Sequence, residues 1–124
     1  MTNRILIVED QEDNRAIMRD VLSSAGYALI EAVDGEEGVK LARSERPDLI
    51  LMDIQLPALD GYEATRQIRA IDELKSIPII AVTSYALSGD EARARSAGCD
   101  SYVAKPFSPR ELLTKVREFL PNKG

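Results

Sequence analysis

Short apolar runs alternate with longer amphipathic stretches along the whole chain. Five runs predict β-strands, at residues 4–9, 27–32, 48–53, 77–83 and 100–104. Three of these runs are continuously apolar, which is typical of strands covered on both faces of a parallel sheet. The stretches between the runs repeat their apolar residues at helical spacing. The predicted order is therefore β-α repeated five times.

The helices are indicated by their first residues and by their apolar stripes. Capping patterns predict four starts, at Asp34 with Glu37, Asp60 with Glu63, Ser88 with Glu91, and Ser108 with Glu111. The first helix should end at Gly26 and bury the stripe Ile17, Met18, Val21, Leu22 and Ala25. The fourth helix, about residues 88–97, has no large apolar residue. We expect this helix to be weakly held and to move easily.

This pattern predicts the fold class. Alternating β and α units with right-handed crossovers form a doubly wound parallel sheet with helices on both faces. We expect an α/β, flavodoxin-like domain, (βα)5, with five strands in the order 2-1-3-4-5. The length of 124 residues suits one domain spanning residues 1–124.

Composition restricts the function further. The net charge of −5 argues against direct binding of nucleic acid, which needs clustered Lys and Arg. No apolar run approaches the ~20 residues that cross a bilayer, so we expect no membrane association. Cys99 is the single cysteine and the chain begins without a signal-peptide pattern, which together favour a cytoplasmic protein. The absence of histidine excludes a Ser-His-Asp triad and a phosphohistidine on this chain.

Polar side chains follow four of the five predicted strands. Glu9 and Asp10 end the first strand, Asp53 the third, Thr83 the fourth, and Lys105 follows the fifth. Ligands of doubly wound sheets bind at the carboxyl ends of the strands, where the strand order switches, here between strands 1 and 3. The three carboxylates should meet there, and two like charges ~4 Å apart repel by ~4 kcal/mol at an effective dielectric constant of ~20. Oxygen ligands without His or Cys suit Mg²⁺.

A carboxylate beside Mg²⁺, a lysine and a hydroxyl predict a phosphoryl-transfer site. Asp53 would be the nucleophile that forms an acyl phosphate, with Lys105 neutralising and Thr83 donating to the phosphoryl oxygens. An Asp after a strand is often only the N-cap of the next helix. That alternative is open for Asp10, but seven residues separate Asp53 from Gly61, and Asp60 already provides the cap.

The sequence closely resembles the receiver domain of bacterial two-component response regulators, most of all hybrid histidine kinase receivers and stand-alone cell-division receivers. The resemblance covers essentially the whole chain and is carried by "ILIVED" (5–10), "PDLILMDIQLPALDGYEATRQIR" (47–69), "IPIIAVTSYA" (77–86) and "AGCDSYVAKPFSPREL" (97–112).

The resemblance implies a role for each site residue. Glu9, Asp10 and Asp53 would form an acid pocket, with Asp10, Asp53 and the backbone carbonyl of Gln55 ligating Mg²⁺. Thr83 and Tyr102 would be a switch pair. Lys105 would bind the phosphoryl group and precede a cis peptide bond to Pro106.

The resemblance also implies partners and an output. A histidine kinase or histidine phosphotransfer protein would supply the phosphoryl group, and a downstream protein would read the change on the face formed by helix 4, strand 5 and helix 5. The protein would be a phosphorelay component rather than a turnover enzyme. Tyr85 departs from the pattern, and we expect Tyr85 and Gln55 to flank the phosphoryl group and slow its hydrolysis.

Three rival functions share parts of this pattern. A haloacid-dehalogenase-like phosphatase also uses a strand-end Asp, but it needs a second Asp where Gln55 stands. A flavin-binding protein would need a hydroxyl-rich loop after strand 1, where "EDQEDN" would repel phosphate. An interaction module of the same fold that is never phosphorylated is the third.

Overall fold

A computed structural model describes residues 2–84 and 90–120. Its strands are β1 (Arg4–Val8), β2 (Ala28–Ala32), β3 (Leu49–Asp53), β4 (Ile79–Thr83) and β5 (Ser101–Ala104). Its helices are α1 (Glu12–Ser24), α2 (Gly35–Glu45), α3 (Gly61–Arg69), α4 (Asp90–Ala97) and α5 (Pro109–Phe119), with a short 3-10 turn at Asp72–Leu74. All strand pairs are parallel, in the order β2-β1-β3-β4-β5. The predicted fold class and strand order are confirmed.

The sheet separates two apolar cores. Leu6, Val8, Ile50 and Met52 face α2, α3 and α4, while the alternate residues of the same strands face α1 and α5. Strand β3 is buried over its whole length, as its continuous apolar run predicts. Among the described residues, no helix combines the length and the apolar character that crossing a bilayer requires.

The helix starts follow the predicted caps. Asp34 accepts from the amide of Glu37 at 2.7 Å and Asp60 from that of Glu63 at 2.9 Å. Ser108 and Glu111 form both halves of a capping box. The cap predicted at Ser88 lies outside the described residues. These bonds satisfy backbone donors that the first turn of a helix leaves unpaired.

One residue of the apolar stripe predicted for α1 is not buried. Met18 and Leu22 are buried against the sheet, but Ile17 is 51% exposed. Ile17 lies on the rim of the stripe, beside a groove of about 380 Å³ between α1 and the loop after β5. The prediction that Ile17 belongs to the core was therefore wrong.

Helix α4 packs mainly through small side chains. Ala94 and Ala97 are its buried apolar residues. Arg93 lies over the ring of Tyr62 on α3, 4.6 Å from its centroid. Since alanines bury little area, this packing agrees with the weak attachment expected from the sequence, although mobility itself stays a prediction.

Arg69, the last residue of α3, ties the opposite end of the sheet together. Its guanidinium donates to the carbonyl oxygens of Leu74, Lys75, Ile77 and Gly98. It also pairs with Asp100 at 2.7 Å. Gly98 has φ of +114°, and a Cβ there would lie 2.7 Å from Cγ of Arg69. Glycine is thus required for this close approach.

Candidate functional site

The predicted site residues meet at the carboxyl ends of β1, β3 and β5. Side chains alternate between the two faces of a sheet, and Ile7, Leu51 and Val103 all face α1 and α5. Glu9, Asp53 and Lys105 follow these three residues, each two positions later in the sequence. The alternation therefore directs all three toward the same face, which explains how residues distant in sequence converge.

Asp53 is held in one orientation. It is the last residue of β3 and is only 2% exposed. Its Oδ1 accepts from the backbone amide of Gln55 at 3.0 Å, and its Oδ2 accepts from Nζ of Lys105 at 3.1 Å. A carboxylate fixed through both oxygens presents a defined lone pair to a reactant.

Lys105 joins two buried carboxylates. Its Nζ lies 2.9 Å from Oε1 of Glu9 and 3.1 Å from Oδ2 of Asp53. Burial opposes the charged form of Lys105, but the hydrogen bonds and negative charges of Glu9 and Asp53 outweigh burial and raise the pKa of the ammonium. The peptide bond from Lys105 to Pro106 is cis, as the resemblance implies.

Glu9 is fully buried, in surroundings that disfavour its charged form. Burial, and next the hydrogen bond with Asp53, raise the pKa of Glu9 above its ordinary value, against the opposing effect of Lys105. Its Oε2 accepts from the amide of Gln11 at 3.1 Å. One ammonium thus faces more carboxylate charge than it can neutralise.

Asp10 completes a group of three carboxylates. One oxygen each from Glu9, Asp10 and Asp53 lies within 4.8 Å of the others. Glu9 and Asp53 are buried, and Asp10 reaches the surface. Oxygen donors crowded in this way, open to water on one side, suit a hard cation that keeps part of its hydration, as Mg²⁺ does.

Thr83 and Tyr102 lie on the other face of the sheet. Thr83 ends β4 and is buried, and Tyr102 on β5 is half-buried against the core below α4. Ala81 is paired with Tyr102 and faces the same core, so Thr83, two residues on, is directed to the same side. The two residues that the resemblance implies as a switch pair therefore share a face with α4.

The loop from β3 to α3 is packed against the backbone of Asp53. The amide of Gly61 donates to the carbonyl of Ile54 at 3.1 Å. A Cβ at position 61 would lie 2.2 Å from the carbonyl oxygen of Asp53, so only glycine fits. Gln55, in this loop, is exposed. Tyr85, expected to flank the site, lies outside the described residues.

Sequence reasoning missed Arg15. This residue of α1 is 12% exposed, and its guanidinium donates to the backbone carbonyl of Glu9 at 2.9 Å and to Oε1 of Glu31 at 3.0 Å. Strand β2 contributes to this arrangement, because its Glu31 holds the guanidinium of Arg15. Two acidic residues within one helical turn of Arg15, Glu12 and Asp13, could have indicated an ion pair.

This combination of fold and site defines a class. The response regulator receiver domain family matches residues 5–117, and the chain belongs to this family. Membership decides against the phosphatase and the flavin-binding protein.

Individual relatives agree with the family assignment. The chain is 45% identical over 120 residues to the polar-differentiation response regulator DivK of Brucella anthropi, covering 97% of this chain and 98% of that protein. DivK of Brucella ovis is 44% identical over 120 residues, again covering 97% of this chain and 98% of that protein. The receiver domain of the sensor histidine kinase PA1611 from Pseudomonas aeruginosa is 41% identical, with a TM-score of 0.91, covering 98% of this chain and 100% of that one. That structure has a magnesium ion coordinated in its active site cleft.

A chemotaxis protein shows the same fold at lower identity. CheY4 of Vibrio cholerae is 27% identical, with a TM-score of 0.91, and the match covers 96% of this chain and 99% of that one. The similarity thus extends from receivers of histidine kinases to chemotaxis receivers.

Proposed function

We propose that Asp53 accepts a phosphoryl group from a phosphohistidine on a partner protein, and that residues 1–124 act as one receiver domain in a phosphorelay. The partner would be a histidine kinase or a histidine phosphotransfer protein, since this chain has no histidine of its own. Family membership and the similarity to DivK support this proposal.

The observation that carries the proposal is the position of Lys105 between Glu9 and Asp53. A lysine buried between two carboxylates for stability alone would not require a third carboxylate, Asp10, beside them. The arrangement instead gives an acceptor, a cationic partner for phosphoryl oxygens and an acidic pocket in one place.

The transfer balances as a simple displacement. An oxygen of Asp53 forms a bond to phosphorus while the bond from phosphorus to the imidazole nitrogen of the partner breaks, and the electron pair leaves with that nitrogen. Lys105 donates hydrogen bonds to the phosphoryl oxygens, and the hydroxyl of Thr83 donates to another. Asp53 is modified in each cycle, so the chain acts as an acceptor rather than a turnover enzyme.

Asp10, Asp53 and the backbone carbonyl of Gln55 would hold Mg²⁺, with Glu9 in support, and the donor set fits this ion. When bound, the ion would supply positive charge opposite the transferred phosphoryl oxygens. The magnesium in the PA1611 receiver domain supports this assignment.

The output is expected on α4, β5 and α5. A phosphoryl group at Asp53 would draw in Thr83, and Tyr102 on the same face would move into the space released. Because α4 packs on this face through alanines, it is the element that yields most readily. A downstream protein would bind the altered face.

Acetyl phosphate provides the test. With Mg²⁺, the parent should gain one phosphoryl group by mass spectrometry, and Asp53→Asn should gain none. Asp48→Asn is the matched control, because Asp48 is exposed and bonded to the amide of Arg4, away from the site. Addition to Asp53→Asn at the parental rate would refute the assignment. No addition to the parent under any donor would favour an interaction module that is never phosphorylated.

A further inference from the structure

Asp10, one residue past Glu9, lies in a segment whose orientation regular structure does not set. Strand β1 ends at Val8 and helix α1 begins at Glu12, so the peptide unit between Glu9 and Asp10 belongs to neither. Side chains that bind a cation or a phosphoryl group must be held within a fraction of an ångström of the productive geometry. Some other contact must therefore fix this unit.

The backbone of Glu9 is held from both sides. Its amide donates to the carbonyl of Ala32 on β2 at 3.0 Å. Its carbonyl, which is the oxygen of the Glu9–Asp10 peptide, accepts from Nη1 of Arg15 at 2.9 Å. A peptide unit is planar, so fixing this oxygen also fixes the direction in which Cα of Asp10 leaves it.

Arg15 is itself rigidly placed. Its Nε donates to Oε1 of Glu31 at 3.0 Å, and its Nη2 bonds to Glu12. The planar fork of the guanidinium directs several donors at once, which a lysine cannot do. With a side chain only 12% exposed, Arg15 spans β2, α1 and the end of β1.

We propose that Arg15 is a positioning residue, which holds the Glu9–Asp10 peptide unit so that both carboxylates face Asp53. This inference rests on the proposed function, because it assigns Arg15 to the same acidic pocket. On this assignment, the ion pair between Arg15 on α1 and Glu31 on β2 supports the site and is more than a surface ion pair.

Arg19 is a matched control within the same network. It also pairs with Glu31, at 2.8 Å, and with Glu12, at 3.6 Å. Among the described contacts it makes none with Glu9, and its side chain is 37% exposed. Arg15→Gln and Arg19→Gln remove the same charge from the same helix, but only the first releases the Glu9 carbonyl.

The experiment compares the parent with Arg15→Gln, Arg15→Lys and Arg19→Gln. Isothermal titration calorimetry gives the dissociation constant of Mg²⁺, and acetyl phosphate labelling at increasing Mg²⁺ separates apparent affinity from maximal rate. Hydrogen exchange in metal-free protein reports on the amide of Gln11, which bonds to Glu9. Thermal unfolding establishes that each variant is folded.

Arg15→Gln should weaken Mg²⁺ binding about tenfold, as loss of contacts that orient metal ligands does, and should accelerate exchange at Gln11. Its rate at saturating Mg²⁺ should stay within about twofold of the parent, because the described contacts of Asp53 and Lys105, which take part in the transfer, do not include Arg15. Arg15→Lys should lose about threefold in affinity, since it reaches fewer acceptors. Arg19→Gln should change neither quantity by more than about twofold.

Two results would overturn the assignment of Arg15 while leaving the proposed function intact. One is parental Mg²⁺ affinity in Arg15→Gln, or in Arg15→Lys if the glutamine variant does not fold. The other is an equal loss in Arg19→Gln, which would show that charge and not position matters. A parent that binds no Mg²⁺ would refute the proposed metal site and this inference together.

Discussion

Replacing Lys105 by methionine tests how the acidic pocket is held together. Nζ of Lys105 lies about 3 Å from each of two carboxylates that are 0% and 2% exposed. At an effective dielectric constant of ~20, each contact represents about 5 kcal/mol of gross attraction, most of which is offset by desolvation of the ammonium. Removing one partner of a buried ion pair costs about 3–5 kcal/mol net. Methionine keeps most of the apolar stem of the lysine.

We therefore expect Lys105→Met to lower the free energy of unfolding by about 3 kcal/mol at pH 7.5 without divalent ions. Urea denaturation followed by circular dichroism measures this difference. Lys75→Met is the control, because Lys75 pairs with Asp72 at 3.0 Å while both side chains are mostly exposed. Loss of such a surface pair should cost less than about 1 kcal/mol.

The pH dependence has a definite sign. An acid whose pKa is raised in the folded state binds its proton more tightly there, so its contribution favours folding at low pH and is lost as pH rises through the folded pKa. Burial and Asp53 already raise the pKa of Glu9, and Lys105 opposes them. Without Lys105 that pKa rises further, while the ammonium of the parent stays charged between pH 5 and 8 because its pKa is raised.

The difference in the free energy of unfolding between the parent and Lys105→Met should accordingly shrink as pH falls from 8 toward 5. A deficit below about 1 kcal/mol at pH 7.5, equal to that of Lys75→Met, would show that the buried pair does not hold the pocket together. A deficit that grows as the pH is lowered would contradict the protonation argument even if its size at pH 7.5 were correct.

Two further substitutions and one labelling reaction test other parts of the structure. Gly61→Ala should lower the free energy of unfolding, measured by urea denaturation, by about 2 kcal/mol, since its Cβ would displace the Asp53 carbonyl. The same displacement should slow phosphorylation. Parental stability would refute this. Arg69→Met should lower stability by about 3 kcal/mol, because Asp100 and several carbonyls lose a charged donor; a loss under 1 kcal/mol would contradict it. Cys99 is 5% exposed and burial raises the pKa of its thiol, so a disulfide reagent should label it at least about tenfold more slowly than in urea.

The sequence predicted what depends on periodicity. Apolar runs, three of them continuous, located all five strands to within two residues, and the caps at Asp34, Asp60 and Ser108 are formed as expected. Convergence of Glu9, Asp53 and Lys105 followed from side-chain alternation, which is local, and from the strand order that the repeated β-α pattern predicts. Their roles in phosphoryl transfer remain predictions.

The features that the sequence did not reveal depend on tertiary contacts. Ile17 fits a helical stripe, but the width of the buried face is set by the sheet beneath, and this residue falls outside it. The contact between Arg15 and the Glu9 carbonyl joins a side chain to a backbone atom, which no residue pattern specifies. Asp100 is an exposed residue just before β5, and its carboxylate accepts from Arg69 and from the amide of Ile79, contacts that the sequence pattern does not indicate.

The contacts of Arg69 have a consequence for how such a chain can diversify. One guanidinium closes the end of the sheet opposite the acidic pocket, so the residues there depend on one another and substitutions are penalised jointly. At the pocket end, two separate groups, Lys105 and Arg15, divide the corresponding contacts between them. As such chains diversify, changes in different pocket-end loops should therefore combine nearly additively, whereas changes around Arg69 should not.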